Sequence, residues 1–449
     1  MEKIYKLIKS IFVIAVLVLA ASCTDNDVEP LFEQSINERT EALKKEYLDI
    51  LKAPTDGWIG YYSPNETFGA YTMLMKFDDN GDVDIKSDYE FGNQDNIITY
   101  RIDKTLKIEL VLESFSVFSS IFSLNNNNNG GEFVFNILSA TADEVVLESK
   151  LDFGDDITIF TLRKATPADF DFTPVYASAN KIAGECTDSV FRNILFNNEA
   201  IASFSFNADT RLITLNYFEN DVKLNLNVPA VVTPTGFSLL NPVTINNVTI
   251  SSFTFDETSE EYINAADNLR LINDDTPLRL TNDLEDLNAP NRLAIFANEF
   301  RFGFNSLTSC AWDEMIQQVD ASLRTQGFTY TGVQLRTDYN STSNTNANSR
   351  IVVLVQRLSD GLATSGSYYV NVENKDNLVF VTFTGFASGN GISWIDSTSP
   401  LLNFFLSTKG LVYTDEGSFS SNLFNYTNGA GTFTSVDDPS LRTYGLFYQ

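Results

Sequence analysis

The chain has 449 residues, with 30 Lys and Arg against 59 Asp and Glu, and a formal net charge of −29. A field of that sign repels polyanions and excludes a nucleic-acid partner. The absence of any histidine excludes His-dependent catalytic triads, imidazole-ligated zinc and imidazole pH switches.

Hydrophobic residues make up 43% of the chain, and 36 Phe and 18 Tyr favour strands, in a length that suits two or three domains. The first informative segment is at the N-terminus. Lys3, Lys6 and Lys9 precede the apolar run Ile11 to Ala21, and Ala20, Ala21 and Ser22 precede Cys23. This is the order of a bacterial lipoprotein signal, whose cleavage leaves Cys23 first in the chain and carrying lipid. The run is too short to span a hydrocarbon core, which needs about 20 residues. Ala20 stands where Leu is usual, with Leu19 one step back. Residues 1–22 are therefore read as signal peptide, and their removal (three Lys, one Glu) leaves −31 on the mature chain. Residues 23–34, with Asp25, Asp27 and Glu29, are read as an acidic tether. It resembles the export signal of Bacteroidota surface lipoproteins. The expected location is the outer membrane, lipid-anchored, on the cell surface rather than the periplasmic face.

The next segments, 35–165, read as a helix followed by an antiparallel β-domain. Ser35 and Glu38 have capping-box spacing, and Ile36, Leu43, Tyr47, Leu48 and Leu51 share one helical face up to Lys52. Strands are expected at 58–62, 71–77, 83–86, 97–102, 106–112, 133–138, 145–147 and 157–162, with a turn-forming loop at Asn125 to Gly131. Segment 166–290 reads as a second β-rich domain. A weak helix is expected over 178–196 and strands at 212–217, 222–228, 237–240, 243–245 and 248–255, with 269–291 as a connection. Segment 291–449 reads as a C-terminal α+β domain. It has a helix over 311–326, strands at 330–335, 351–355, 368–372 and 378–383, an exposed loop at 338–349 and a helix at 401–407 opened by Ser399-Pro400. The fold class is α+β, mostly β: antiparallel sheets or barrel-like meanders, each led by a helix, with three related modules as the expected organisation.

Candidate sites are sparse. Asp78, Asn80 and Asp82 imitate the start of a calcium loop, but Tyr89 replaces its closing Glu, so a hairpin turn is expected and no metal. Ser178 and Lys181 have Ser-x-x-Lys spacing without the partner motifs of penicillin-binding enzymes. Asp188-Ser189-Val190 and Asp396-Ser397-Thr398 resemble a short O-glycosylation motif. Cys186 and Cys310 could pair in an exported chain, with two separately buried thiols as the default. Trp394, in the glycine-rich stretch 389–396, is the best candidate for a glycan-stacking ring, though core burial is the commoner fate of such a side chain.

Together, Gly57-Trp58, Gly69-Ala70-Tyr71, Met73 to Phe77, Gly130 to Phe135, Thr235-Gly236-Phe237, Pro242-Val243 and Phe253 to Asp256 resemble a Bacteroidota lipoprotein family known only as a domain of unknown function. Its members tend to accompany outer-membrane importers of the starch-utilisation type and metallopeptidase-like proteins. The resemblance implies an accessory role in capturing a glycan or peptide beside such an importer, and carries over no functional residue. No catalytic residue, cofactor or metal is expected, and the ligand is not specified. The competing expectations are a carboxylate-based hydrolase and a structural or adhesive surface protein.

Overall fold

The computed structural model describes residues 35–65, 67–89, 97–128, 130–152, 157–283, 293–296, 307–337, 349–420 and 425–448. Cys23, the tether and most of the 338–349 loop lie outside them. The described residues build three closed antiparallel barrels of eight strands each. The first runs from strand Trp58–Tyr62 to Ile159–Lys164, the second from Phe191–Phe196 to Leu269–Asp274, the third from Leu293–Phe296 to Arg442–Tyr448. Each closes by pairing its last strand with its first: Trp58 with Lys164, Phe196 with Leu269, Leu293 with Tyr448. The mostly β, antiparallel, barrel-like class read from the sequence is the one observed.

Turn chemistry sets much of the register. Asn220-Asp221, Asn246-Asn247 and Asp376-Asn377 all take positive φ at both positions. That is the tight-hairpin geometry whose twist matches paired strands, and after glycine Asn and Asp tolerate it best.

Helix α1 (Ile36–Lys52) leads the first barrel. Ser35 Oγ accepts from the Glu38 amide at 3.2 Å and Glu38 Oε2 accepts from the Ser35 amide at 2.8 Å, the reciprocal cap expected. The indole of Trp58 donates to the Leu51 carbonyl at 2.8 Å, pinning the helix to the first strand. A second, short helix, α2 (Val117–Ser123), has no counterpart in the sequence reading. It drives Phe118 into the barrel, 5.1 Å from the Tyr62 ring and 5.5 Å from that of Phe135. Seven residues, about two turns, supply too few periods for an amphipathic signal.

The second barrel corrects two expectations. Its helix, α3, is Thr173–Ala183, earlier than the stretch 178–196, and Phe191–Phe196 is a strand. Pro174 starts α3 and Gly184 follows its end, so local start and stop signals outweighed the weak periodicity. The supposed connection 269–291 begins with the strand Leu269–Asp274, which seals the barrel. Its acidic, Asn-containing sequence disguised alternating buried Leu269 and Leu271.

In the third barrel the strand Leu293–Phe296 comes before the helix α4 (Cys310–Thr325). A short helix, α5 (Gly389–Ser393), is followed by α6 (Ile395–Phe405), which carries Pro400 inside it rather than starting there. Pro400 is the sixth residue of α6, beyond the first turn, so its missing amide forfeits one backbone hydrogen bond.

The barrels are joined firmly. Between the first two, the Gly69 amide donates to Thr210 O at 2.6 Å, the Tyr71 hydroxyl to Asp209 O at 2.6 Å, and Ala70 bridges Val231. Between the second and third, Cys186 and Cys310 form a disulfide with Cα atoms 5.3 Å apart. This corrects the default of two separate buried thiols: Cys186 is only half-buried and Cys310, first residue of α4, is exposed. Phe191 packs with Val412 and Val436 across the same junction.

Candidate functional site

Each barrel is filled by its own side chains, as an eight-stranded barrel's narrow interior permits. Trp58, Tyr62, Phe135 and Phe160 fill the first, Phe204, Phe237 and Phe253 the second, Trp312, Phe296, Tyr413 and Phe433 the third. Candidate binding surfaces are therefore external.

A concavity of about 1150 Å³ lies between α1 and the first barrel and is lined by Lys45, Glu46, Asp49, Ile50, Asp56, Lys164 and others. Both of its lysines are paired, Lys45 with Asp49 at 2.7 Å and Lys164 with Asp143 at 2.9 Å. The Lys45 hydrogen bond holds the Asp49 carboxyl below its ordinary value, the wrong direction for a general acid in glycoside hydrolysis. Among the described residues no group of three His, Cys, Asp or Glu could hold a metal.

The residues singled out in the sequence are occupied elsewhere. Asp78 Oδ1 accepts from the amides of Asn80 at 2.8 Å and Asp82 at 2.9 Å, the hairpin-turn outcome. Ser178 is buried and donates to Gly236 O at 3.2 Å, whereas Lys181 pairs with Glu257 at 3.0 Å and lies over the Phe255 ring. Both hydroxyls of the glycosylation-like motifs are buried; Ser189 donates to Asp274 O at 2.6 Å and Ser397 meets Ser322 at 2.8 Å.

Trp394, the ligand candidate, is 3% exposed and belongs to the core. The glycine-rich stretch is α5 rather than a loop, because Ser388 Oγ caps it by accepting from the Gly391 amide at 3.2 Å. This places Trp394 at the joint of α5 and α6, its ring edge-on to Phe328 at 4.9 Å. A Cβ on Gly366 would sit 2.9 Å from that ring, so glycine is what admits it.

Exposed aromatics among the described residues include Phe115, 60% exposed, and a pair, Phe383 and Phe386, at the end of the strand Leu378–Phe386, 39% and 42% exposed with ring centroids 5.3 Å apart. Three residues apart on a regular strand, they would face opposite sides. A bulge brings them together: Tyr369 pairs with Gly385 and Val370 with Phe383, leaving Thr384 extra. Among the described residues, pairing to the following strand Leu411–Ser420 is confined to Val379 opposite Leu411, so this end stands at an open rim of the third barrel. Phe386 also reaches the buried Tyr368, whose hydroxyl lies 2.8 Å from Thr398 Oγ1, anchoring the pair to the core. The sequence signal was the broken alternation around Phe-Thr-Gly-Phe, with glycine at the kink.

A second constellation, at the junction of the first two barrels, is wholly buried. Asp88 accepts from the Thr72 amide at 2.7 Å and Thr72 Oγ1 at 3.2 Å, and pairs with Arg211. The Arg211 guanidinium also stacks 4.5 Å from the Tyr71 ring centre. Burial pushes the Asp88 carboxyl up, and Arg211 and Thr72 pull against it. A Cβ on Gly69 would lie 2.2 Å from Arg211 O. Gly69-Ala70-Tyr71, one of the motifs that carried the family resemblance, thus builds a joint.

Residues 28–257 match the model of a domain of unknown function, DUF4302, about half of the chain, and the chain belongs to that family. A comparison with curated proteins returns no match. Among solved structures, a beta sliding clamp from C. crescentus is similar at 10% identity, covering 91% of this chain and 97% of that one, with a TM-score of 0.17. Transferrin binding protein B from Neisseria meningitidis is similar at 11% identity, covering 85% and 65%, with a TM-score of 0.13. Likenesses that slight carry no argument about this chain.

Proposed function

We propose that this member of the DUF4302 family is a non-catalytic lipoprotein, anchored through Cys23 at the outer membrane and facing the cell surface. In this reading it is an accessory protein of a nutrient importer of the starch-utilisation type and holds a glycan or peptide for it. The observation that carries the binding role is the Phe383–Phe386 pair, exposed on a bulge yet anchored to a rigid core. Apolar ring faces at a fixed rim suit the C–H faces of a sugar or an apolar peptide side chain. Three barrels joined by a disulfide and a buried ion pair would hold that rim at a set distance from the anchor. The order of Lys3 to Cys23 and the acidic tether support the address.

The test is recovery of the lipidated protein from its native outer membrane, combined with proteolysis of intact cells. Co-purification with an importer, and loss of ligand capture in Phe383→Ala/Phe386→Ala, is the expected result. Resistance to protease on intact cells with no importer recovered would refute the reading.

A further inference from the structure

The apolar stripe of α1 continues past the end of the barrel it packs on. Leu51 is buried and Tyr47 and Leu48 pack against the core, but Leu43 is 36% exposed and Ile36 66% exposed. Beside them, the turn between the strands Ile97–Lys104 and Ile108–Leu112 carries Leu106, 97% exposed and flanked by Lys104 and Lys107. Lys104 Nζ donates to Thr40 Oγ1 at 2.8 Å and so ties that turn to the helix. Ile36, Leu43 and Leu106 share a depression of about 370 Å³ with Arg39, Lys104 and Lys107, and its lining contains no carboxylate. Carboxylates near in sequence are engaged, Glu38 with Ser35, Glu41 with Lys44, Asp103 with Arg101 and Glu109 with Lys150, and Glu148 reaches Lys107 from a neighbouring strand. One exposed leucine is ordinary. Three apolar side chains framed by cations, on a chain with twice as many acidic as basic residues, need a cause.

We infer that this end of the first barrel seats on a phospholipid bilayer, with Leu106, Leu43 and Ile36 at the acyl boundary and Lys104, Lys107 and Arg39 at the headgroup phosphates. This rests on the anchored reading of Cys23 given above. The path of the chain selects the occupant. Ser35 follows Cys23 by only twelve residues, a reach of at most about 40 Å when extended. Lipid on Cys23 therefore holds this end of the molecule near the bilayer. Exposure of the stripe also rises along α1 in the direction of the tether. Within the face itself, Lys104 and Arg39 add local attraction to headgroup phosphates.

The test uses the mature chain coupled through Cys23 to a maleimide lipid in vesicles of phosphatidylcholine and phosphatidylglycerol whose acyl chains are brominated. The disulfide leaves Cys23 as the free thiol. The native tryptophans Trp58, Trp312 and Trp394 are buried, so they give a background beyond the reach of the quencher. Leu106→Trp is expected to lose fluorescence and shift to the blue on coupling, whereas Leu362→Trp, exposed on the third barrel, keeps its signal. Lys104→Glu in the Leu106→Trp background is expected to restore part of the loss. An unquenched Leu106→Trp that folds normally by circular dichroism would overturn the seating, as would shielding of that residue by self-association in solution. Mass spectrometry of the protein from cells checks lipid on Cys23 separately. Its absence would remove the anchored reading and leave the vesicle result to judge the surface itself.

Discussion

Replacing Arg211 by Met keeps much of the stacking on Tyr71 and removes the charge that balances Asp88. The carboxylate is left 2% exposed between two barrels, still accepting from Thr72 but with its cation gone. Breaking a buried pair from one side costs about 3–5 kcal/mol, because a buried charge is left uncompensated. Burial already pushes the Asp88 carboxyl up, and removing Arg211 takes away the group that pulls hardest against it. A carboxylate whose folded pKa lies above its unfolded value destabilises the fold where it is ionised. The deficit of Arg211→Met is therefore greatest at neutral pH and narrows as pH falls toward 5. Calorimetry of the mature chain at pH 7.5 and pH 5, compared with wild type, reads both effects. Adding Asp88→Asn removes the stranded charge while retaining an oxygen for the Thr72 amide, and should recover most of the loss. A melting profile for Arg211→Met equal to wild type at neutral pH, or a deficit that does not narrow on acidification, would refute this account of the joint.

Cys186→Ser opens a crosslink that spans 124 residues, and urea unfolding should show a loss of about 2–5 kcal/mol, the range for removing a native disulfide. Trp394→Ala is expected to cost about 3–5 kcal/mol, the scale for emptying a buried aromatic site, with thermal melting as the readout; a ring serving only a ligand would leave stability unchanged. Phe383→Ala/Phe386→Ala should show the opposite profile, with a melting temperature near wild type and ligand capture lost. Acid should destabilise the third barrel. Burial acts to raise the Asp320 and Asp437 carboxyls, yet hydrogen bonds from Arg324, Thr329 and the Tyr330 amide, and from Thr408, Ser407 and the Lys409 amide, hold both below their ordinary value. Their stabilisation is complete above the ordinary carboxylate range and is lost as pH falls through it, below about pH 4. Melting temperature followed from pH 6 to pH 3 should decline across that window, and Asp320→Asn should flatten part of the decline.

Local chemistry made the strand pattern of the first barrel, the capping of α1 by Ser35 and Glu38, and the Asn- and Asp-built hairpins legible from sequence. Each depends on neighbours within a few positions, where alternation and left-handed turn preferences act directly. Short elements such as α2, and polar closing strands such as Leu269–Asp274, were lost because their periods are few and their burial comes from partners distant in sequence. Tertiary structure alone decided the closure of each sheet, the pairing of Cys186 with Cys310, and the meeting of Asp88 with Arg211 across 123 positions. It also reversed the aromatic assignment. Trp394 sits beside glycines that look like a loop, but Ser388 caps them into a helix and turns the ring inward, while a bulge at Thr384 turns Phe383 and Phe386 to the surface. Sequence fixes which conformations each segment prefers; which face of a segment meets solvent depends on the barrels that close around it.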